Sequence, residues 1–241
     1  MNSDSITNTK KNALILGAFA LVTTLLIAIT YLGTKDTIAE QQQRMLLRVI
    51  NDVVPSGSFS NDIQHDCAAL PIDSQLGDGA DLKAYRGFSD TVTGVTINNS
   101  QTSLTSVAIE TIAPDGYSGD IRLIIGISGQ YLRTVTGVRV LDHKETPGLG
   151  DKIDLRINDW ILSFNQQTYV PGREDNWAVK KDGGQFDAFT GATITPRAVV
   201  NAVLNAVLYV QTHQRDIALA PNQCALIQQL DESETLGEEH E

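Results

Sequence analysis

An uncharged segment near the start of the chain restricts the fold more than any other feature. It reads ALILGAFALVTTLLIAITYLG, residues 13–33, and contains 21 residues without a charged side chain. A transmembrane helix needs about 20 predominantly apolar residues to cross roughly 30 Å of hydrocarbon. A cleaved signal peptide has a shorter apolar core, of about 7–15 residues, and ends in a small-residue cleavage site. Because no convincing site follows Tyr31, we predict a transmembrane helix over 13–33.

The charges beside this segment indicate its orientation. Lys10 and Lys11 precede it, whereas Lys35 follows it and is directly succeeded by Asp36. Since basic residues collect on the cytoplasmic side of a membrane, residues 1–12 are expected in the cytoplasm. The chain is thus predicted to be a single-pass membrane protein with an exported C-terminal domain.

The composition argues against several classes of function. A formal net charge of -11 and a pI of about 4.7 argue against a nucleic-acid partner, which requires a basic surface. The chain has two cysteines, no CxxC pair and four scattered histidines, so neither a zinc nor an iron–sulfur site is expected. In an exported domain Cys67 and Cys224 could form a disulfide, and two unpaired thiols are the alternative. HExxH, GxSxG, Walker and dinucleotide motifs are also missing from the sequence.

The remaining chain has the pattern of an α+β protein. Apolar residues at helical spacing predict an amphipathic helix over 37–55, and we assign 34–78 to this helix and a loop-rich linker. A domain is expected over 79–213, with strands near 91–98, 105–113, 121–128 and 134–141 and a last helix from about Pro196 to Thr212. Residues 154–167 have mixed periodicity and are compatible with a helix. The acidic end of residues 214–241 predicts a solvated tail.

Two glycine-containing loops interrupt the predicted strands. The first, APDGYSGDI over 113–121, is typical of a β-hairpin turn. The second, HKETPGLGDKI over 143–153, contains two glycines that permit close approach by a ligand, with a threonine ahead and a lysine behind. Exposed amides near a lysine suit an anion or a polar ring edge. Its candidate binding residues are Thr146, Gly148, Leu149, Gly150 and Lys152.

A third segment, DAFTGATITPRAVVNAV over 187–203, leads into the last helix. Pro196 suits the first helical position and Thr195 the N-cap, so we expect the Thr195 side chain to cap the helix. Thr193 has no such duty, and its hydroxyl lies at the positive end of the helix dipole, where a phosphate would be stabilised. A helix start that is capped and binds nothing is the alternative.

These three segments together resemble the G-subunit family of the Rnf electron-transport complex, also called Rsx. The similarity extends from the apolar segment to about residue 212, and a more distant one exists to the C subunit of the sodium-pumping NADH:quinone reductase. The resemblance implies covalent FMN, attached by a flavin transferase through a phosphoester to the last threonine of an S/T-G-A-T motif. In this chain that motif is Thr190, Gly191, Ala192 and Thr193, with Asp187 as the acidic residue ahead of it.

The resemblance also implies a function. The family's complex moves electrons between ferredoxin and NAD and couples them to ion movement, and in some bacteria it keeps the regulator SoxR reduced. A protein of this family would be an electron relay in an inner-membrane translocase, with its exported domain in the periplasm. It would act beside other membrane subunits and would not contain the catalytic centre of the complex. The glycine loop would lie against the flavin, where Tyr117 and Trp177 are either stacking partners or core residues. Two other functions remain open: a flavin-holding redox sensor, and a cofactor-free assembly subunit.

Overall fold

The computed structural model describes residues 3–90, 95–96 and 103–224, and the chain divides into two compact units. The first unit is Met1–Leu46 and the second is Leu47–Glu241. Helix α1 spans Ser3–Val53, so its last turns belong to the second unit.

The predicted apolar helix is present within α1. The stretch Lys10–Lys35 has a mean hydropathy of 2.5 and is long and apolar enough to cross a membrane. Its large apolar side chains are exposed, and three of its threonine hydroxyls are satisfied within the helix. The hydroxyls of Thr23, Thr30 and Thr34 donate to carbonyls one turn earlier, at 2.9, 2.8 and 2.8 Å. Such bonds remove the cost of carrying a hydroxyl into hydrocarbon.

The second unit is built on one antiparallel sheet. Its described strands are β1 (Cys67–Ala69), β2 (Lys83–Ser89), β3 (Val95–Thr96), β4 (Ser103–Ala113), β5 (Ile121–Ser128), β6 (Thr134–Asp142) and β7 (Gln167–Thr168). The order is β1-β2-β4-β5-β6-β7, and β3 pairs with β4. The central hairpin runs from the pair Ala113↔Ile121 to the pair Ser106↔Ser128. The turn that closes this hairpin is the first glycine-containing loop.

Helix α2 (Ile194–Leu219) covers one face of the sheet. Successive strand residues point to opposite faces, and Val107, Ile109 and Ile125 belong to the core cluster that also contains the buried stripe of α2. Five buried residues of that stripe are Val199, Val203, Ala206, Val207 and Val210. The sequence pattern therefore predicted this helix and its buried side correctly, although the helix is longer than expected.

The last turn of α1 covers the opposite face. Gly126 and Gly137 are paired across β5 and β6, and a side-chain carbon added to Gly126 would lie 2.0 Å from the carbonyl oxygen of Val53. The hydroxyl of Thr136 donates to the same oxygen at 2.5 Å. Two facing glycines thus make room for the end of the helix against the sheet.

A disulfide fixes the segment after α2. Cys67 and Cys224 are bonded, with 5.3 Å between their Cα atoms, which confirms the bridge that the sequence left open. The side-chain oxygen of Asn222 accepts the amides of both cysteines, at 3.2 and 3.0 Å. The guanidinium of Arg86 donates to the carbonyls of Ile217 and Ala220 at the end of α2.

Several boundaries differ from those predicted. Residues from Leu47 onward belong to the second unit and Cys67–Ala69 is a strand, so much of the expected linker over 34–78 is part of the folded unit. The sequence was compatible with a helix over 154–167. In the structure this range contains only a short 3-10 helix, Asp159–Phe164, and the first residue of β7. Helix α2 continues to Leu219, inside the expected tail. The acidic end of that tail and most of the strand predicted over 91–98 lie outside the described residues.

Candidate cofactor site

The start of α2 leaves the side chain of Thr193 without a capping role. Thr193 occupies the N-cap position, with φ -78° and ψ -24°, and its side chain makes no capping hydrogen bond. The preceding turn is closed by the amide of Ala192, which donates to the carbonyl of Phe189 at 3.1 Å, and it uses the positive φ of Gly191, +85°. Thr193 is half-buried. Its hydroxyl is therefore placed at the positive end of a helix of 26 residues.

The expectation that Thr195 caps this helix is wrong. The helix begins at Ile194, so Thr195 lies inside its first turn and Pro196 is the third helical residue. Thr195 is fully buried, and its hydroxyl donates to Oε2 of Glu145 at 2.5 Å. A hydrogen bond across 50 positions of sequence has replaced the local one, because a buried hydroxyl needs a partner and Glu145 provides it.

Glu145 is the functional residue that the sequence reasoning missed. Its carboxylate is buried and accepts two hydrogen bonds, from the Thr195 hydroxyl and from the amide of Ser118 at 2.9 Å. Ser118 lies in the hairpin turn, Glu145 in the second glycine loop and Thr195 at the start of α2. One side chain thus brings together the three segments that the sequence singled out separately. An acidic residue amid glycines and a proline was the signal available.

The two glycines of the loop have different roles. A side-chain carbon added to Gly150 would lie 2.2 Å from Oε2 of Glu145 and 2.8 Å from the Thr195 hydroxyl. Gly150 therefore makes room for the buried carboxylate and is not open to a ligand. Gly148 has a φ of +79° and no atom within 4 Å of the same position, so it leaves open space at the surface. Of the two glycines, only Gly148 fits the predicted approach of a cofactor.

The outer part of the loop lies beside the Thr193 segment. Leu149 is exposed, and its Cδ2 lies 3.9 Å from the position of a side-chain carbon on Gly191. The Nζ of Lys152 lies 6.0 Å from the centre of the Phe189 ring. The carbonyl of Thr146 accepts the amide of Leu149 at 3.1 Å, which closes the turn. Leu149 and Lys152 thus lie beside Gly191 and Phe189, in the segment that leads to Thr193.

An aromatic cluster supports the segment from the inside. The indole N–H of Trp160 donates to the carbonyl of Asp187 at 2.7 Å, and its ring meets Phe189 edge-on at 5.1 Å. Trp177 is buried against Phe186, so it is a core residue and not a stacking partner for a ligand. Tyr117 is 68% exposed and packs into no core.

Ion pairs surround the segment. Lys180 is bonded to Asp187 at 2.7 Å, and Arg197 holds Asp182 through two nitrogens at 2.6 and 2.9 Å. The hydrogen bond from Arg197 lowers the pKa of Asp182. Both Asp187 and Thr190 are exposed. The acidic residue of the motif is therefore neutralised by a lysine but accessible from solvent.

A second set of charges holds the stem of the glycine loop. The amide of Glu145 donates to Nδ1 of His143 at 3.1 Å, and Nε2 of that ring lies 3.9 Å from Asp154. Asp154 is buried and bonded to Arg156, and this hydrogen bond lowers the pKa of the carboxyl group. The loop is thus fixed at both ends before any ligand binds.

These features fit a flat cofactor that carries a phosphate. A free hydroxyl at a helix N-terminus suits an ester to phosphate, since the dipole and the first amides stabilise negative charge there. Gly148 leaves open space and Leu149 offers an apolar surface, while Lys152 supplies a positive charge. Thr193, Gly148, Leu149 and Lys152 are the residues that would hold such a group.

Comparisons with known proteins agree with this description. A family model described as the FMN-binding domain matches residues 116–208, and one described as the RnfG N-terminal region matches residues 1–53. A protein of Pseudoalteromonas atlantica, named as the G subunit of an ion-translocating oxidoreductase complex, is 51% identical over 214 residues, which cover 89% of this chain and 94% of that protein. A protein of the same name from Vibrio cholerae is 50% identical over 219 residues, covering 91% and 98%.

The similarity to solved structures is weaker. The crystal structure of Shewanella oneidensis NqrC matches with a TM-score of 0.36 and 21% sequence identity, over 61% of this chain and 65% of that one. A likeness at this level says nothing further about the residues of this chain.

Proposed function

The chain belongs to the G-subunit family of ion-translocating oxidoreductase complexes, and from this premise we propose that it is an electron relay that carries FMN covalently on Thr193. The observation that carries the proposal is the Thr193 hydroxyl, which lies within the match to the FMN-binding domain and makes no capping hydrogen bond at the start of α2.

Thr193 is the best of the three threonines for a phosphoester. Thr195 is buried and donates its hydroxyl to Glu145. Thr190 is exposed but lies within the turn that leads into the helix, three residues before its N-cap. Only Thr193 combines partial exposure with the positive end of the helix, where the charge of a phosphodiester is stabilised.

The chain would hold the flavin, and the flavin would supply the redox chemistry. Bound FMN accepts and returns one or two electrons, while the protein supplies binding, orientation and electrostatics. Leu149 and Gly148 offer an apolar and open surface on which a ring can lie, and Lys152 offers a positive charge. The ester would use the phosphate for attachment and leave the ring free.

Maturation requires a flavin transferase that reaches the motif. Asp187 and Thr190 are exposed, whereas Phe189 between them is buried against Trp160. We propose that the transferase contacts the chain at Asp187 and Thr190. The Lys180–Asp187 pair would have to open during this contact, which is inexpensive because exposed ion pairs contribute little.

The membrane anchor and the disulfide support an exported location for the second unit. Lys10 and Lys11 precede the apolar stretch, which favours a cytoplasmic N-terminus. The Cys67–Cys224 bridge is typical of oxidising compartments such as the periplasm. A tether keeps FMN on the protein in a compartment where free cofactor would be diluted.

The test of attachment is fluorescence after denaturation. The protein is co-expressed with a flavin transferase, and a denaturing gel is viewed under ultraviolet light for the wild type, Thr193→Ala and Thr195→Ala. We expect fluorescence from the wild type and Thr195→Ala and none from Thr193→Ala. If Thr193→Ala is still fluorescent and Thr195→Ala is not, the flavin is attached to Thr195 and the proposed position is wrong by two residues.

The relay itself is tested in the assembled complex. The complex is purified from cells that carry Thr193→Ala, and its subunits and its electron transfer between ferredoxin and NAD are measured. A relay predicts that the subunits assemble and electron transfer is lost. Retained electron transfer would favour the sensor, and a missing complex would favour the assembly role.

A further inference from the structure

We propose that Glu145 is a positioning residue that holds the three segments of the FMN site in one arrangement, and that its charge lowers the reduction potential of the flavin. The inference rests on the proposed function, since it concerns the same site. It adds Glu145 to the candidate residues of the site, which so far included its neighbours in the loop but not the carboxylate itself.

The hydrogen bonds of the Glu145 carboxylate support its role in holding the three segments together. Oε1 accepts the amide of Ser118 at 2.9 Å and Oε2 accepts the hydroxyl of Thr195 at 2.5 Å. These partners precede and follow Glu145 by 27 and 50 positions. The two bonds therefore join the hairpin turn to the helix start through the loop that lies between them in sequence. Loss of the carboxylate would free the turn and the loop from the helix start that carries Thr193.

The surrounding glycines show that the space is made for this side chain. A side-chain carbon on Gly150 would lie 2.2 Å from Oε2, and one on Gly116 would lie 3.1 Å from Oε1. The same carbon on Gly116 would lie 2.2 Å from the carbonyl oxygen of Gly119. The carboxylate therefore needs a glycine at position 150, whereas Gly116 is required first by its own turn and leaves Oε1 only a tight contact.

The effect on the reduction potential follows from the charge of Glu145 and from its position beside the start of α2. Glu145 is 5% exposed, and in such surroundings a charge acts more strongly on its neighbours than it would in water. Its partner Thr195 lies two residues after Thr193, so the carboxylate is close to the point of attachment. An electron that enters a flavin ahead of its proton adds negative charge to the ring, and a fixed negative charge nearby opposes that transfer. Charge near the ring is one of the means by which a protein tunes a flavin.

The experiment uses two variants and a control. It separates the two hydrogen bonds by which Glu145 joins the segments, which we call the clamp, from the effect of the Glu145 charge on the flavin. Glu145→Ala removes both hydrogen bonds. Glu145→Gln retains the shape and removes the charge: its Oε1 still accepts the amide of Ser118, whereas its Nε2 donates to the Thr195 hydroxyl, so that bond is reversed in direction. Glu110→Gln is the matched control, because Glu110 is another buried carboxylate, 2% exposed, bonded to Arg122. Glu110 alternates with Ile109 along β4, so it points to the face of the sheet away from α2.

Two measurements are made on each variant. Hydrogen–deuterium exchange of the protein without flavin is followed in peptides that cover 115–120 and 187–195. The midpoint potential of the flavin is measured on protein labelled by the transferase. We expect Glu145→Ala to increase exchange in both peptides and to slow labelling several-fold. We expect Glu145→Gln to shift the potential upward with little change in exchange, and Glu110→Gln to change neither.

The outcomes distinguish this inference from the proposed function. If the transferase does not label the wild type, the proposed function is wrong and the effect of the Glu145 charge on the flavin is wrong too. In that case hydrogen exchange in Glu145→Ala is the only test of the clamp. If the wild type labels, unchanged exchange and labelling in Glu145→Ala would overturn the clamp. An unchanged or lowered potential in Glu145→Gln would overturn the charge effect. Glu145→Ala is replaced by two other variants if it does not fold. A normal labelling rate in Glu145→Gln would then support the view that the site requires hydrogen bonds from residue 145. Hydrogen exchange equal to that of the wild type in Glu145→Leu would refute that view.

Discussion

At the scale of single residues, the two threonines at the start of α2 have different surroundings. Thr195 is buried and belongs to the Glu145 hydrogen-bond network, while Thr193 is half-buried and makes no capping bond. Two hydroxyl residues on either side of Ile194 therefore divide into one that maintains the site and one that we propose to react.

Replacing Thr195 tests the network directly. Thr195→Val retains the shape of the side chain but removes the donor to Glu145, which leaves a buried carboxylate oxygen without its partner. Such a loss costs about 1–3 kcal/mol of unfolding free energy. Urea unfolding of the full-length protein in detergent measures it, with Thr195→Ser as the control that retains the hydroxyl. Equal stability of the two variants would refute the network.

The two loop glycines offer a second comparison. Gly150→Ala would place a carbon 2.2 Å from Oε2 of Glu145, an overpacking that typically costs about 1–3 kcal/mol and here also displaces the carboxylate. Gly148→Ala meets open space, and only its φ of +79° opposes the change, at about 1–2 kcal/mol. Thermal unfolding should therefore rank Gly150→Ala as the less stable variant. It should also show faster hydrogen exchange at residues 187–195. The reverse order would contradict our account of the loop.

At the scale of elements, the site depends on a hairpin turn, a loop and a helix start that converge because the sheet places them at one end. The turn joins β4 to β5, and the loop follows β6, the next strand in the sheet. Strand β6 ends beside the start of β5, since Asp142 pairs with Arg122. The turn before β5 and the loop after β6 are neighbours for this reason, and α2 begins next to them.

The disulfide is the element-scale feature with the largest expected effect on stability. It joins residues separated by 157 positions and so ties β1 to the segment after α2. A crosslink over a long loop stabilises mainly by restricting the unfolded chain, and removing a native one costs about 2–5 kcal/mol. We expect Cys67→Ser with Cys224→Ser to lower the urea midpoint by a corresponding amount. Labelling at Thr193 should persist under native conditions. A midpoint equal to that of the wild type would contradict this role.

The sequence predicted some elements well and others poorly, for physical reasons. The length of an uncharged run identified the apolar helix, and the pattern of apolar residues identified the strands β4 to β6 and α2, because these elements are long enough for a pattern to repeat. The pattern missed β1 and β2, since three-residue and mixed strands such as Cys67–Ala69 gain their stability from partners far along the chain. Glu145 was missed for the same reason. Its meaning depends on Ser118 and Thr195, which no local pattern connects to it.

At the scale of the whole molecule, the chain combines an apolar helix with a folded unit that matches an FMN-binding domain. The surfaces of the two parts suit different surroundings. The apolar surface of Lys10–Lys35 is exposed in the chain alone, and hydrocarbon is the medium that would cover it. The folded unit has a buried core of its own.

The proposed orientation gives a prediction at this scale. Protease added to spheroplasts should degrade the second unit, because we place it on the periplasmic side. A cytoplasmic protein in the same cells is the control for intact membranes. Protection of the second unit until the membrane is broken would place it in the cytoplasm and contradict the orientation deduced from Lys10 and Lys11.

The central claim, that FMN is esterified to Thr193, is tested most directly by locating the flavin on a peptide. Trypsin cuts after Lys181 and Arg197, so Thr190, Thr193 and Thr195 fall on one fragment, residues 182–197. Fragment ions that break on either side of Thr193 separate the three positions. We predict that protein matured with the transferase carries the FMN mass on Thr193. The mass on Thr190 or Thr195, or an unmodified fragment despite an active transferase, would contradict the claim.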